Sequence, residues 1–295
     1  MTNMLATGGF SINVFTDLAG MWQYAFMQHA FEAGTIVAIV SGVVGYFVVL
    51  RRLSFAAHAL SHTGFAGAAA AILLGLNPLI GLLAFTGGSG LTIAVLGRRT
   101  AARDVQVGTV LAFMLGLGVL FISLYKGYAT EAYSLLFGEI LGISSGDVYV
   151  TLLAGVVTLA AVALLYRRLL FTSLDEDVAE AKGVSILGTG ITFMLLLALA
   201  TSIAVQVVGV LLIFALLVTP AAVAERLTRR PAEGMAVSVL VALMVTWSGL
   251  FIAYYLPYPV SFFITSMVFM LYILVRGVQA WRARQSNRTV APTQS

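Results

Sequence analysis

His58 and His62 stand four positions apart in the stretch FAAHALSHTGFAGAAAA (55–71), a run otherwise made of small and apolar residues. On a helix, positions i and i+4 share a face, so both imidazoles project to one side. Neutral imidazole is the commonest metal ligand among side chains and suits zinc and other late divalent metals. Two ligands do not close a structural zinc site, which takes four. A site that must release its ion has no need of closure. The competing reading is that both rings hydrogen-bond to backbone at a helix entrance, where polar groups cost little.

Other polar residues are sparse enough to name one by one. His29 and Glu32, in QHAFEAG, are three apart on one helix face and form a second candidate metal-receiving pair. Anchoring of an apolar run at a membrane interface would use the same residues. Glu139 and Asp147, in LLFGEILGISSGD, could draw cations toward an entrance or meet a partner's basic groups. A solvated cap explains them as well. In TPAAVAERLTRRP (219–231), Pro220 ends or kinks the helix before it. The small residues that follow, with Glu225 and Arg226, suit a helix docking into a cleft. There is no cysteine, which removes disulfides and thiolate metal sites.

These residues must be held by something built almost wholly of apolar side chains. The 295 residues are 60% hydrophobic and 9% charged, with a mean hydropathy of +1.02. Soluble domains carry about a quarter charged residues, so the composition predicts an all-α polytopic membrane protein. Runs long enough to cross a bilayer, about 20 residues each, lie near 31–50, 57–76, 79–97, 105–125, 148–166, 186–204, 206–223, 235–256 and 259–276. Nine spans are expected from these runs. Almost nothing separates the runs at 186–204 and 206–223, so an eight-span arrangement stays open.

The joins carry a charge rhythm. Arg51 and Arg52, then Arg98, Arg99 and Arg103, then Arg167 and Arg168, then Arg226, Arg229 and Arg230, then Arg276, Arg282, Arg284 and Arg288 follow alternate runs. The other joins hold almost no Arg or Lys. Such an excess marks the cytoplasmic side, which predicts an external N-terminus and a cytoplasmic C-terminus. The net charge of +4 is explained by this pattern and needs no nucleic-acid partner. The first residues lack the basic and compact apolar regions of a cleavable signal peptide, so the first span is expected to act as an uncleaved insertion signal.

The domain organisation follows: 1–28 is an extracytoplasmic segment, 29–276 the membrane domain, and 277–295 a cytoplasmic tail expected to be disordered. Residues 131–147 read as a short external or re-entrant helix. Residues 169–185 read as an acidic cytoplasmic segment in which Asp175, Glu176 and Asp177 open a short helix. No phosphate-binding loop of the G-x-x-x-x-G-K-[ST] type occurs, so ATP hydrolysis by that machinery is excluded. There is also no H-E-x-x-H zinc protease motif and no serine hydrolase context.

Four stretches in order resemble the permease subunits of ATP-binding-cassette importers for zinc, manganese and iron(II). They are GVVGYFVVLRRLSFAAHALSHTGFAGAAAAILLG (42–75), RDVQVGTVLAFMLGLGVLFIS (103–123), LLFGEILGISSGDV (135–148) and VQVVGVLLIFALLVTPAAVAERLT (205–228). The resemblance runs from about Met27 to Arg276. It implies a transport subunit that is not itself an enzyme, with no cofactor of its own and ATP bound by cytoplasmic ATPase subunits. It also implies an extracytoplasmic metal-binding protein, a second permease copy and a prokaryotic plasma (inner) membrane.

Residue by residue, the resemblance implies metal contact at His58 and His62, with Ser61 between them. It makes 219–231 the helix seated on the ATPase, through Pro220, Ala221, Ala222, Glu225 and Arg226, and puts Glu139 and Asp147 toward the binding protein. The family usually carries an acidic residue where this chain has His58. Exchanging a carboxylate for an imidazole tilts a site from manganese toward zinc, so zinc is the first expectation and manganese the second. The alternatives are a permease for siderophore or vitamin complexes and an ion-coupled secondary transporter. The latter would show inverted repeats and midplane carboxylates, and the sequence shows neither clearly.

Overall fold

A backbone in hydrocarbon must satisfy its own hydrogen bonds, which leaves helices as the solution for long apolar runs. The computed structural model describes residues 20–96, 100–125, 138 and 140–289, with side chains placed for 20–96, 104–125, 138 and 140–281. Among the described residues ten helices follow one another: α1 (Ala25–Leu50), α2 (Ser54–Leu73), α3 (Pro78–Leu96), α4 (Thr100–Leu124), α5 (Ser145–Leu174), α6 (Glu176–Ala181), α7 (Ile186–Val208), α8 (Val210–Leu227), α9 (Pro231–Tyr255) and α10 (Val260–Thr289). Apart from the short α6, they coincide with the nine predicted runs.

Eight of them are long and apolar enough to cross a membrane. The exception is α2, whose sequence holds Ser54, His58, Ser61, His62 and Thr63. It tolerates them because it packs against α3, α4, α7 and α8 and buries most of its surface in the bundle. Its neighbours, and not lipid, are its solvent. Low hydropathy here reports an interior position.

Local chemistry sets the ends. Ser144 caps α5 in a capping box with Asp147, each satisfying the other's backbone N–H. Asp175 accepts from the Val178 N–H to open α6, and Ser185 accepts from the Gly188 N–H to open α7. Pro231 stands in the first turn of α9, where its missing N–H costs nothing. Between α7 and α8 the whole connection is Gly209, with φ of +82°. Only glycine takes that conformation without strain, and one residue is thereby enough to reverse the chain.

The helices run alternately up and down. The C-terminal ends of α1, α3 and α5 and the N-terminal ends of α2, α4 and α7 surround one cavity of about 570 Å³, lined by Arg51, Arg52, Asp104 and Glu176 among others. At the same end α8 is tied to α10 by Arg226 and Gln279, and Gly234 of α9 lies against Tyr46 of α1. The described arginines thus gather at one end of the bundle, as their rhythm in the sequence requires. Among the eight apolar spans, α1 and α7 are the most enclosed, and α4 and α10 are the most exposed.

Small residues let the central helices close up. Any side chain at Gly67 of α2 or Gly81 of α3 would strike the other's carbonyl, and one at Gly45 of α1 would strike the Leu217 carbonyl of α8. Thr86 of α3 and Ser202 of α7 share a buried hydrogen bond of 2.7 Å across the same region.

Two expectations change. The tail is not disordered from 277: α10 continues as helix to Thr289. Residues 278–289, VQAWRARQSNRT, contain no Gly or Pro to stop it, and Ala, Gln and Arg favour continuation. Of the predicted short helix at 131–147, residues 131–137 and 139 lie outside the described residues. Its described end is a turn at 140–142, and Ser145 already opens α5. That turn is tucked inward, with Ile140 and Ile143 buried and Gly138 pressed on Val208 and Gly209.

Candidate metal site

Helix α2 begins at Ser54, three residues earlier than its apolar run predicts. At 1.5 Å per residue, His58 therefore lies about 6 Å and His62 about 12 Å along the helix from its arginine end. Both are half-buried. Their rings meet edge to face with centroids 4.6 Å apart and planes at 77°. The helical spacing thus delivers two imidazoles to one spot. On its other side His58 meets the ring of Phe214 from α8, with centroids 4.9 Å apart and planes at 72°.

The hydrogen-bond account separates His58 from Ser61 and Thr63, the hydroxyls beside it on α2. Ser61 is buried, and its hydroxyl donates back to the Ala57 carbonyl at 3.0 Å, so it is engaged within its own helix. Thr63 likewise donates to the Leu60 carbonyl at 2.9 Å. The Nδ1 of His58 is buried and has no hydrogen-bond partner. A buried nitrogen in that state forfeits the hydrogen bonds it would make in water, and a cation would satisfy it. Among the described residues no three His, Asp, Glu or Cys side chains come together. The pair therefore offers two ligands, and further ligands would have to come from water, backbone or another subunit.

At the opposite end the polar residues are spent on structure. His29 Nδ1 lies 3.2 Å from the Ile143 carbonyl, joining α1 to the turn before α5. Glu32 is exposed, and no His29–Glu32 ion pair forms. Asp147 uses both carboxylate oxygens: Oδ2 accepts from the Ser144 hydroxyl at 2.6 Å and its N–H at 3.2 Å, and Oδ1 accepts from Gln206 Nε2 at 3.0 Å. It links the start of α5 to the end of α7. Glu139 lies outside the described residues.

The stretch 219–231 does not form a helix of its own. Its first nine residues complete α8, Thr228 to Arg230 make the turn, and Pro231 starts α9. Pro220 and Ala221 are buried, Ala222 is half-buried, and Glu225 and Arg226 are exposed at the arginine end. Arg226 donates to Gln279 Oε1 at 3.2 Å, Gln279 Nε2 donates to the Arg226 carbonyl at 2.7 Å, and the guanidinium lies 5.6 Å from the centre of the Tyr272 ring. This clamp fastens the end of α8 to α10.

Two contributors were not legible as site residues. Phe214 is the lone aromatic in VQVVGVLLIFALLVTP, a signal visible only once the stretch is suspected of lining a site. Gln206 carries no local signal at all.

Comparison with known proteins agrees with this architecture. Residues 23–279 match the family described as the ABC 3 transport family. The chain is 34% identical to the manganese transport system membrane protein MntC of Listeria monocytogenes over 238 residues, which is 80% of this chain and 85% of the relative. It is 34% identical to the manganese import system permease protein ScaB of Streptococcus parasanguinis over 255 residues, 85% of this chain and 91% of that one. The structure of PsaBC from Streptococcus pneumoniae in complex with Fab superposes with a TM-score of 0.80 at 29% identity, covering 89% of this chain and 95% of its counterpart. The multi-span bundle belongs to the ABC 3 transport family and is one of its membrane-embedded transport subunits.

Proposed function

We propose that this chain is the permease of an ATP-driven importer for divalent transition metal ions, manganese first and zinc second. The observation that carries the reading is the His58–His62 pair: two adjoining imidazoles, one with a buried unpartnered nitrogen, on a helix otherwise sealed inside the bundle. The similar proteins named for manganese transport support manganese. Zinc keeps its place because both potential ligands are imidazoles, with no carboxylate grouped beside them among the described residues.

In this reading the arginine end faces the cytoplasm, and ATPase subunits engage it through Glu225 and Arg226. An extracytoplasmic metal-binding protein delivers the ion to the opposite end. A second permease copy covers the half-exposed face of His58 and His62, since imidazoles facing hydrocarbon would be costly. ATP binding rocks the copies between outward and inward states, and the ligands release metal as their geometry is lost.

The test is radiometal uptake into vesicles holding the permease with its ATPase and binding protein, comparing wild type with the His58→Ala, His62→Ala double variant. Uptake is expected to fall by roughly tenfold or more, in line with the loss of metal-site groups. Equal manganese and zinc uptake by both proteins would remove the ligand assignment. Uphill transport by the permease without any ATPase would remove the importer reading altogether.

A further inference from the structure

A histidine that binds a metal through one ring nitrogen normally donates its other N–H to a carboxylate or carbonyl, which fixes the ring's orientation. Whichever nitrogen takes the metal, no such bond to the His58 ring is found among the described residues, where Nδ1 is buried without a partner. Something else must hold the imidazole. Two rings do so, His62 at 4.6 Å and Phe214 at 4.9 Å, both close to perpendicular to it. Edge-to-face contact is the arrangement that aromatic quadrupoles prefer, and it restricts rotation of the ring much as a hydrogen bond would.

The two supports differ in origin. His62 moves with His58 because they share α2. Phe214 belongs to α8, and it is half-buried. It also lines a cavity of about 330 Å³ between α8 and α10, together with Val218, Thr219, Ala222 and Tyr272. The ring therefore has open space beside it. Twelve residues further along α8, past the internal Pro220, stands Arg226, clamped to Gln279 and Tyr272 of α10.

We infer that Phe214 is the positioning residue for His58: it sets the orientation of the metal-binding imidazole and ties that orientation to the placement of α8. This rests on the proposed function and names a residue that the ligand pair alone does not require. With α8 placed as here, the phenyl ring holds His58 against His62. A shift of α8, or a swing of Phe214 into the adjoining cavity, removes the support and lets the imidazole turn away. Movement of a helix becomes loss of ligand geometry.

The experiment uses the complete importer reconstituted in vesicles and follows manganese uptake over a range of free metal, so that KM and maximal rate separate. The variants are Phe214→Ala, Phe214→Leu and Phe214→Tyr, with His58→Ala alongside. Phe214→Leu and Phe214→Ala are expected to raise KM roughly tenfold, the scale seen when an outer-shell partner of a metal ligand is lost. The maximal rate should stay within about twofold, and Phe214→Tyr should restore KM.

A merely structural phenylalanine gives a different pattern. Leu, which is apolar and closer to Phe in volume than Ala, would then serve as well as Tyr, and losses would fall on the maximal rate and on yield. Should Phe214→Ala not fold, Phe214→Leu against Phe214→Tyr carries the test alone. An unchanged KM in Phe214→Leu, while His58→Ala abolishes uptake, overturns the inference and leaves the proposed function standing. Uptake untouched by His58→Ala overturns the ligand assignment within the proposed function, and the inference with it.

Discussion

The two ends of the molecule each contain a histidine, and they use it differently. His29 meets the Ile143 carbonyl, beside a network in which Asp147 accepts from both Ser144 and Gln206. His58 is packed between two rings and keeps a buried nitrogen without a partner. A fully bonded polar group has nothing left to offer a ligand, whereas an unbonded one is held at a cost that function must justify. The contrast teaches that residue type alone does not mark a site. For His29 and His58 it is the hydrogen-bond account that differs.

The strongest challenge to that contrast is to change the free histidine into the acid its relatives are expected to carry. His58→Asp should move the preference between manganese and zinc toward manganese by roughly tenfold, or about 1.4 kcal/mol of differential affinity. Competition between the two metals in the vesicle uptake assay reads this ratio. An unmoved ratio would mean that His58 contributes no ligand, and the two ends would cease to differ.

At the other end the expected effects fall on stability. Asp147→Ala removes half of a capping box and leaves Gln206 with its Oε1 and Nε2 both unmatched in a half-buried position. A loss of about 1–3 kcal/mol follows from such unpaired groups. Thermal unfolding of the detergent-solubilised protein would show it as a lowered midpoint. The KM for metal should not change, and a raised KM with an unaltered midpoint would make Asp147 part of the transport path instead.

The smallest effect belongs to His29→Ala. One hydrogen bond to a carbonyl is lost, worth about 0.5–1.5 kcal/mol, and metal uptake should proceed at the wild-type KM. Impaired uptake at unchanged stability would show that the outer histidine receives metal after all, and would erase the distinction on which the comparison rests.

Much of the bundle was readable from composition and order. Nine apolar runs became nine long helices, and the arginine rhythm became one arginine-bearing end. The errors came where a local signal was weighed without its surroundings. The polar residues after Gly277 suggested a tail without structure, yet nothing in them breaks a helix, and α10 runs on to Thr289. The residues 219–231 suggested a separate helix after Pro220, but that proline lies inside α8, buried among neighbours that hold the chain helical around it. The spacing of His58 and His62 was correct as a predictor of contact because one helical turn is a local property.

By itself the sequence determined the class of molecule, the number of long helices and the end at which positive charge collects. Hydropathy and helix formation act over a few turns of chain, so they can be read from neighbouring letters. Only the tertiary structure decided which histidine is bonded and which is free, and that an aromatic ring from α8 stands against the second. The partner of His29 lies 114 residues away along the chain, and Phe214 reaches His58 from a helix on the far side of the sequence. Contacts of that range depend on how helices pack through their small residues, which no local pattern encodes.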